Sequence, residues 1–162
     1  MLRQSRLPVK QICDTVQTSM DTSADPPPPY RLDHQVGFLL RRANQRHLAI
    51  FTSQIADVTP TQFAVLAKLA EHAHLSQNSL GRETAMDGAT IKGVVDRLSA
   101  RGLVLVAADP DDRRRARISL SPDGRATYDR LMDQARAITA ETLAPLTPVE
   151  RDRFVALLGK IG

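Results

Sequence analysis

Fifty residues in the middle of the chain, SQNSLGRETAMDGATIKGVVDRLSARGLVLVAADPDDRRRARISLSPDGR from Ser76 to Arg125, fix an order of elements that few folds accommodate. Ser76 supplies an N-cap, and a short helix to about Ala85 is expected behind it, with Leu80 and Ala85 as its apolar contacts. Asp87 caps a second helix, its carboxylate placed to accept from the free N–H groups of the first turn. Ile91, Val94, Val95 and Leu98 stand at i, i+3, i+4 and i+7, which makes one buried stripe. Gly102 ends this helix, because the residue after a helix often needs positive φ. The opposite face carries Gly88, Ala89, Thr90, Lys92 and Arg97, the small and polar residues that close approach to base edges requires.

A hairpin follows. Leu103 to Val106 is rich in β-formers, and Ala116 to Leu120 alternates well enough to pair with it, Ile118 and Leu120 sharing a face. Between them Asp109-Pro110-Asp111-Asp112 is turn chemistry, followed at once by Arg113, Arg114, Arg115 and Arg117. An Arg at a hairpin tip fits a narrow minor groove, where negative potential concentrates, and Asp112 can hold such an Arg by a bidentate pair. Helix, turn, helix, charged hairpin is the order of a winged helix-turn-helix. The expected fold is therefore mainly α with a small β-hairpin.

The phrases Asp109-Pro110-x-Asp112-Arg113-Arg114, Leu98-x-x-Arg101-Gly102-Leu103-Val104 and Leu120-Ser121-Pro122-x-Gly124 resemble the MarR family of bacterial transcription regulators. Leu75-Ser76-Gln77-x-x-Leu80 fits the first helix of that family's DNA-binding lobe, and the resemblance runs from about Leu32 to Ile161. It implies a homodimeric regulator on a pseudo-palindromic operator, with the recognition helix at Gly88 to Arg101. It implies DNA contacts from Ser76 and Gln77, and from a wing in which Arg114 enters the minor groove beside Arg113 and Arg115, with Asp112 orienting. One departure is Val106-Ala107-Ala108, where the family often carries a further Arg.

Composition is permissive. A net charge of +4 allows nucleic-acid binding without demanding it. Between Ser76 and Arg117 stand eight Lys/Arg against six Asp/Glu, so a DNA face must come from where charges sit. No apolar run suits a membrane span or a signal segment, and a cytoplasmic location is expected. One Cys excludes an intrachain disulfide framework. Nucleotide-binding glycine loops, nucleophile elbows and zinc-protease motifs are missing from the sequence, so neither an enzyme nor a cofactor is expected.

Residues 1–29 read as a flexible arm, because Pro26-Pro27-Pro28-Pro29 bars a helix from crossing it. The arm is either dispensable, with Met20 as the functional start, or a strap using Arg3, Arg6 and Lys10. Residues 30–162 read as one domain. Within it 59–121 is the winged lobe, and 32–57 and 122–161 are helices for dimerisation. Val36, Leu40, Ala43, His47 and Phe51 form one helical stripe, and Leu39, Ala43 and Ile50 a second. Thr59-Pro60, Ser121-Pro122 and Thr147-Pro148 are three helix starts. They open helices carrying Phe63, Leu66 and Leu69; Leu131, Ala135 and Ile138; and Phe154, Leu157, Leu158 and Ile161. Terminal helices this apolar find their cover on a second copy.

A sensor is expected between the first two helices and the DNA lobe, taking a small aromatic acid or its coenzyme A thioester. Arg42, Arg46 and His47 would meet the acid, and Phe38, Phe51 and Phe63 the ring. DHQVGFLLRRANQRH is similar to family members that control aromatic-acid breakdown. Three alternatives remain: a redox switch at Cys13, zinc at Glu71-His72-Ala73-His74, or a winged helix that binds protein. Arg114→Ala is expected to weaken operator binding while leaving the dimer intact. Anisotropy on operator DNA with sedimentation checks both, and wild-type affinity in the variant removes Arg114 from the wing contact.

Overall fold

A computed structural model describes residues 29–110 and 116–162. A 3-10 turn, Leu32–His34, precedes α1 (Val36–Gln54), α2 (Pro60–Glu71), β1 (Leu75–Ser76), α3 (Gln77–Glu83) and α4 (Gly88–Ala100). Strands β2 (Val104–Ala108) and β3 (Ala116–Leu120) follow, then α5 (Pro122–Thr142) and α6 (Pro148–Leu158). The expected fold class holds: helices carry the chain, and a winged helix-turn-helix sits between them.

Every α-helix but α1, whose N-cap Gln35 makes no side-chain cap bond, starts on a side-chain cap. Thr59 and Thr147 form reciprocal capping boxes with Gln62 and Glu150, and the Ser76, Asp87 and Ser121 side chains accept from the backbone three residues on. Gly102 closes α4 at φ +70°, where a side chain would be strained.

The core lies where α2, α3, α4 and the sheet meet. Leu66, Leu69, Leu80, Ile91, Leu98 and Ile118 are fully buried, and the expected stripe of α4 points into it complete. Burying each such side chain contributes ~1.5–3 kcal/mol relative to exposure. Phe51, Ile55 and Val58 carry the core round the corner between α1 and α2, and Leu131 and Ile138 of α5 close it.

Several boundaries differ from expectation. The first helix does not begin at Leu32: Gln35 is extended (φ −84°, ψ 129°), which separates the 3-10 turn from α1. Helix α3 stops at Glu83, and Ala85 is an exposed residue at φ +52° rather than an apolar contact. The Thr84 hydroxyl donates to the Leu80 carbonyl and Met86 N–H to the Gly81 carbonyl, which reverses the chain and brings Met86 against the core. A third strand, β1, joins the hairpin as Leu75 and Ser76 pair with Ile118 and Arg117, giving the order β1-β3-β2. Strand β2 starts at Val104, with Val104 opposite Leu120 and Val106 opposite Ile118. His72 and His74 follow the end of α2 outside the helix, and Ile161 lies beyond α6. No described helix is long and apolar enough to cross a membrane.

Gly124, in the first turn of α5, is pressed against the backbone of Leu103, and a Cβ there would overlap the Leu103 carbonyl oxygen. Gly124→Ala is expected to destabilise the fold by ~3 kcal/mol, the upper range of overpacking. Urea unfolding checks this, and a change under ~1 kcal/mol would mean that the junction yields.

Candidate nucleic-acid interface and effector cleft

Helix α4 turns its apolar stripe inward and leaves Gly88, Ala89, Thr90, Lys92 and Arg97 exposed. Two hydrogen bonds organise its start. Thr90 N–H donates to Asp87 Oδ1 (2.8 Å) and the Thr90 hydroxyl donates to Asp87 Oδ2 (2.8 Å). The Thr90 amide, then its hydroxyl, hold the Asp87 carboxyl below its ordinary range. One turn on, Lys92 Nζ meets Asp96 Oδ2 at 2.6 Å with both side chains exposed. Such pairs contribute little, so Lys92 can exchange Asp96 for a phosphate. The Arg97 guanidinium lies back along the helix over Gly93, its nearest nitrogen 3.4 Å from where a Cβ would stand. Gly93 lies inside α4, where a glycine costs ~1 kcal/mol relative to alanine.

Helix α3 offers less. The Ser76 hydroxyl accepts from Ser79 N–H (3.2 Å) and donates to Ser79 Oγ (2.9 Å), while its backbone joins the sheet, so Ser76 is first a cap. Gln77 lines a shallow concavity between α3 and α4 with Asn78, Arg82 and Gly88; Asn78 and Arg82 are exposed and were not singled out from sequence. At the turn end of the hairpin strands Arg117 Nε stands 3.4 Å from Asp109 Oδ2. Leu105 and Val106 of β2 are exposed apolar residues on the strand that lacks the family's extra Arg. The wing residues Asp112, Arg113, Arg114 and Arg115 lie outside the described residues, as do Cys13, Arg3, Arg6, Lys10 and Met20.

The six residues expected to sense a ligand divide into two groups. Phe38 sits beneath the guanidinium groups of Arg41 and Arg42, at 5.5 and 5.8 Å. Phe51 is thirteen residues further along α1, about 20 Å along the axis. There the rings run in series. His47 is 6.4 Å from Phe51, Phe51 6.2 Å from Phe63 edge-on, and Phe63 6.0 Å from Tyr128 in a stack. Arg46 and His47 are occupied with structure. Arg46 donates to the carbonyls of Glu141 (3.0 Å) and Thr142 (3.3 Å) at the end of α5. The Thr142 hydroxyl donates to the Ile138 carbonyl, so the proton in its 3.1 Å bond with His47 comes from Nδ1.

An open cleft of about 270 Å³ lies between α2 and α5, lined by Phe63, Ala67, Tyr128, Met132, Ala135, Arg136 and Thr139. Its cation is Arg136, paired with exposed Asp133 at 3.3 Å. Arg136 and Tyr128 escaped the sequence reading because α5 shows α2 these residues only once both helices are packed. Among the described residues there is no group of three or more His, Cys, Asp or Glu that could hold a metal.

A capped helix pair with a small, polar outer face on its second helix, followed by a hairpin, defines a winged helix-turn-helix DNA-binding protein. Residues 56–115 match the model of the MarR family. The chain is 43% identical over 135 residues to the HTH-type transcriptional repressor NicR of Pseudomonas putida, covering 82% of this chain and 85% of that one. A solved structure of a probable transcriptional regulator from Pseudomonas aeruginosa shares 52% identity at TM-score 0.78, covering 82% of this chain and all of the other. BpsR of Bordetella bronchiseptica, whose DNA binding is regulated by 6-hydroxynicotinic acid, shares 44% at TM-score 0.79, over 82% and 96%. The chain belongs to the MarR family of DNA-binding transcription regulators and is not an enzyme.

The Asp87 cap has a pH signature. The fold stabilises its ionised form, so its contribution is present above the ordinary aspartate range and is lost as pH falls through the lowered folded value. The stability gap between the native protein and Asp87→Ala is expected to be constant from about pH 7 to 5 and to shrink below about pH 4. Urea titrations at each pH check this, and a gap unchanged at about pH 3 would show that the charge is not what caps the helix.

Proposed function

We propose that the protein is a homodimeric, cytoplasmic repressor that leaves its operator when a small aromatic acid enters the cleft between α2 and α5. The observation that carries the effector reading is the Phe63–Tyr128 stack with Arg136 on one cleft wall. The rings give a flat acid an apolar surface and the guanidinium offers a bidentate partner for its carboxylate. A cleft of about 270 Å³ suits a one-ring acid, and the coenzyme A portion of a thioester would lie outside it. The regulation of BpsR by 6-hydroxynicotinic acid supports a hydroxylated heteroaromatic carboxylate as the first compound to try.

The dimer reading rests on apolar surface left open. Val36, Leu39 and Leu40 of α1 and Val149, Val155 and Leu157 of α6 are 41–78% exposed in the protomer. Apolar patches of this kind mark protein interfaces. Residues 32–57 and 122–161 are assigned to that scaffold, 59–121 to the DNA lobe, and 1–29 to the arm. On DNA, Gly88, Ala89, Thr90, Lys92 and Arg97 would face the major groove, Gln77 the flanking backbone, and Arg114 the minor groove between Arg113 and Arg115.

Arg136→Ala tests the cleft. Losing one charge-assisted contact is expected to raise the 6-hydroxynicotinate concentration needed for release about tenfold or more, with operator affinity unchanged. Fluorescence anisotropy on DNA from the gene's own upstream region reads both quantities. An unchanged release curve removes Arg136 from the site.

A further inference from the structure

Thr90 occupies the third position of α4, on the exposed side of the helix that the regulator reading places in the major groove. A threonine hydroxyl ordinarily reads DNA in either sense, because it carries one proton and two lone pairs. Here the proton is committed. It points to Asp87 Oδ2 at 2.8 Å, while Asp87 Oδ1 holds the amide of the same residue at 2.8 Å. Asp87 is kept ionised by these bonds, so it has no proton to return. Turning the Thr90 hydroxyl toward a DNA acceptor would leave Asp87 Oδ2 without its partner and set two acceptors face to face.

We infer that Thr90 reads DNA only as a hydrogen-bond acceptor and so selects a base that presents an exocyclic amine in the major groove, adenine N6 or cytosine N4. Guanine O6 and thymine O4 are acceptors themselves and find no donor there. The ionised Asp87 carboxylate behind the hydroxyl acts in the same sense: it attracts an amine edge and repels a carbonyl edge. Lys92, its cation free to donate once it leaves Asp96, keeps the opposite preference for guanine or phosphate. The inference rests on the regulator reading above, and it makes the capping carboxylate a positioning residue for base selection.

The test is selection of a randomised duplex library by the full-length protein and by Thr90→Val and Thr90→Ser, followed by sequencing. Valine keeps the shape and removes the hydroxyl; serine keeps the hydroxyl. The wild type and Thr90→Ser are expected to require adenine or cytosine at one position of each half-site, and Thr90→Val to lose preference there alone. Replacing that base in the selected duplex by its analogue without the amine (purine for adenine, pyrimidin-2-one for cytosine) should weaken the wild type about fivefold or more. The same replacement should leave Thr90→Val unchanged. Identical preferences in the wild type and Thr90→Val, or a lost preference for guanine or thymine, would overturn the acceptor assignment while the regulator reading stands. No enrichment by the wild type would overturn both.

Discussion

One side-chain hydroxyl joins the end of α4 to the start of α5. Ser121 Oγ donates to the Gly102 carbonyl at 2.6 Å and accepts from Gly124 N–H at 2.9 Å. The first contact closes the turn that ends α4, and the second caps α5. Ser121 N–H adds a bond to the Leu103 carbonyl, and Ser121 is itself buried. The end of α4, the root of the hairpin and the start of the long α5 are thereby one corner. Gly124 is needed at that corner because backbone approaches backbone there too closely for a Cβ.

From this corner α5 extends for 21 residues, about 30 Å, to the carbonyls that Arg46 ties to α1. Along the way Arg125 donates to the Ala70 carbonyl at the end of α2, and Arg130 pairs with Asp57 at 2.7 Å before its start. The cleft proposed for the effector lies between the same two helices. A ligand that changes their spacing acts on a helix whose base is the corner shared with α4. Coupling of ~1–3 kcal/mol between cleft and DNA lobe corresponds to several- to about a hundredfold in affinity.

The DNA lobe was legible in the sequence because its signals are local. A cap, a stripe at 3.6-residue spacing and a glycine stop each depend on a few neighbouring residues, and Asp87, Ile91 to Leu98 and Gly102 take the expected places. What escaped was non-local or too short. Strand β1 is two residues, with no periodicity to read, and exists only because β3 offers it an edge. Helical spacing continued past Glu83 points Ala85 inward, but there the Thr84 hydroxyl bonds to the Leu80 carbonyl and the chain turns.

The sensor separates the two sources of information most clearly. Residue types alone offered Arg42, Arg46, His47, Phe38, Phe51 and Phe63, a fair list of groups for an aromatic acid. Packing then engaged Arg46 and His47 with the end of α5, placed Phe38 far from Phe51 along α1, and brought Tyr128 and Arg136 beside Phe63. The sequence by itself determined the order of the α-helices and the hairpin, the five side-chain caps, the inward faces of α2, α4 and α5 and the family, since these follow from near-neighbour chemistry. The tertiary structure decided which polar groups remain available to a ligand. A side chain's hydrogen-bonding capacity is limited, and only the packed chain shows where it has already been used.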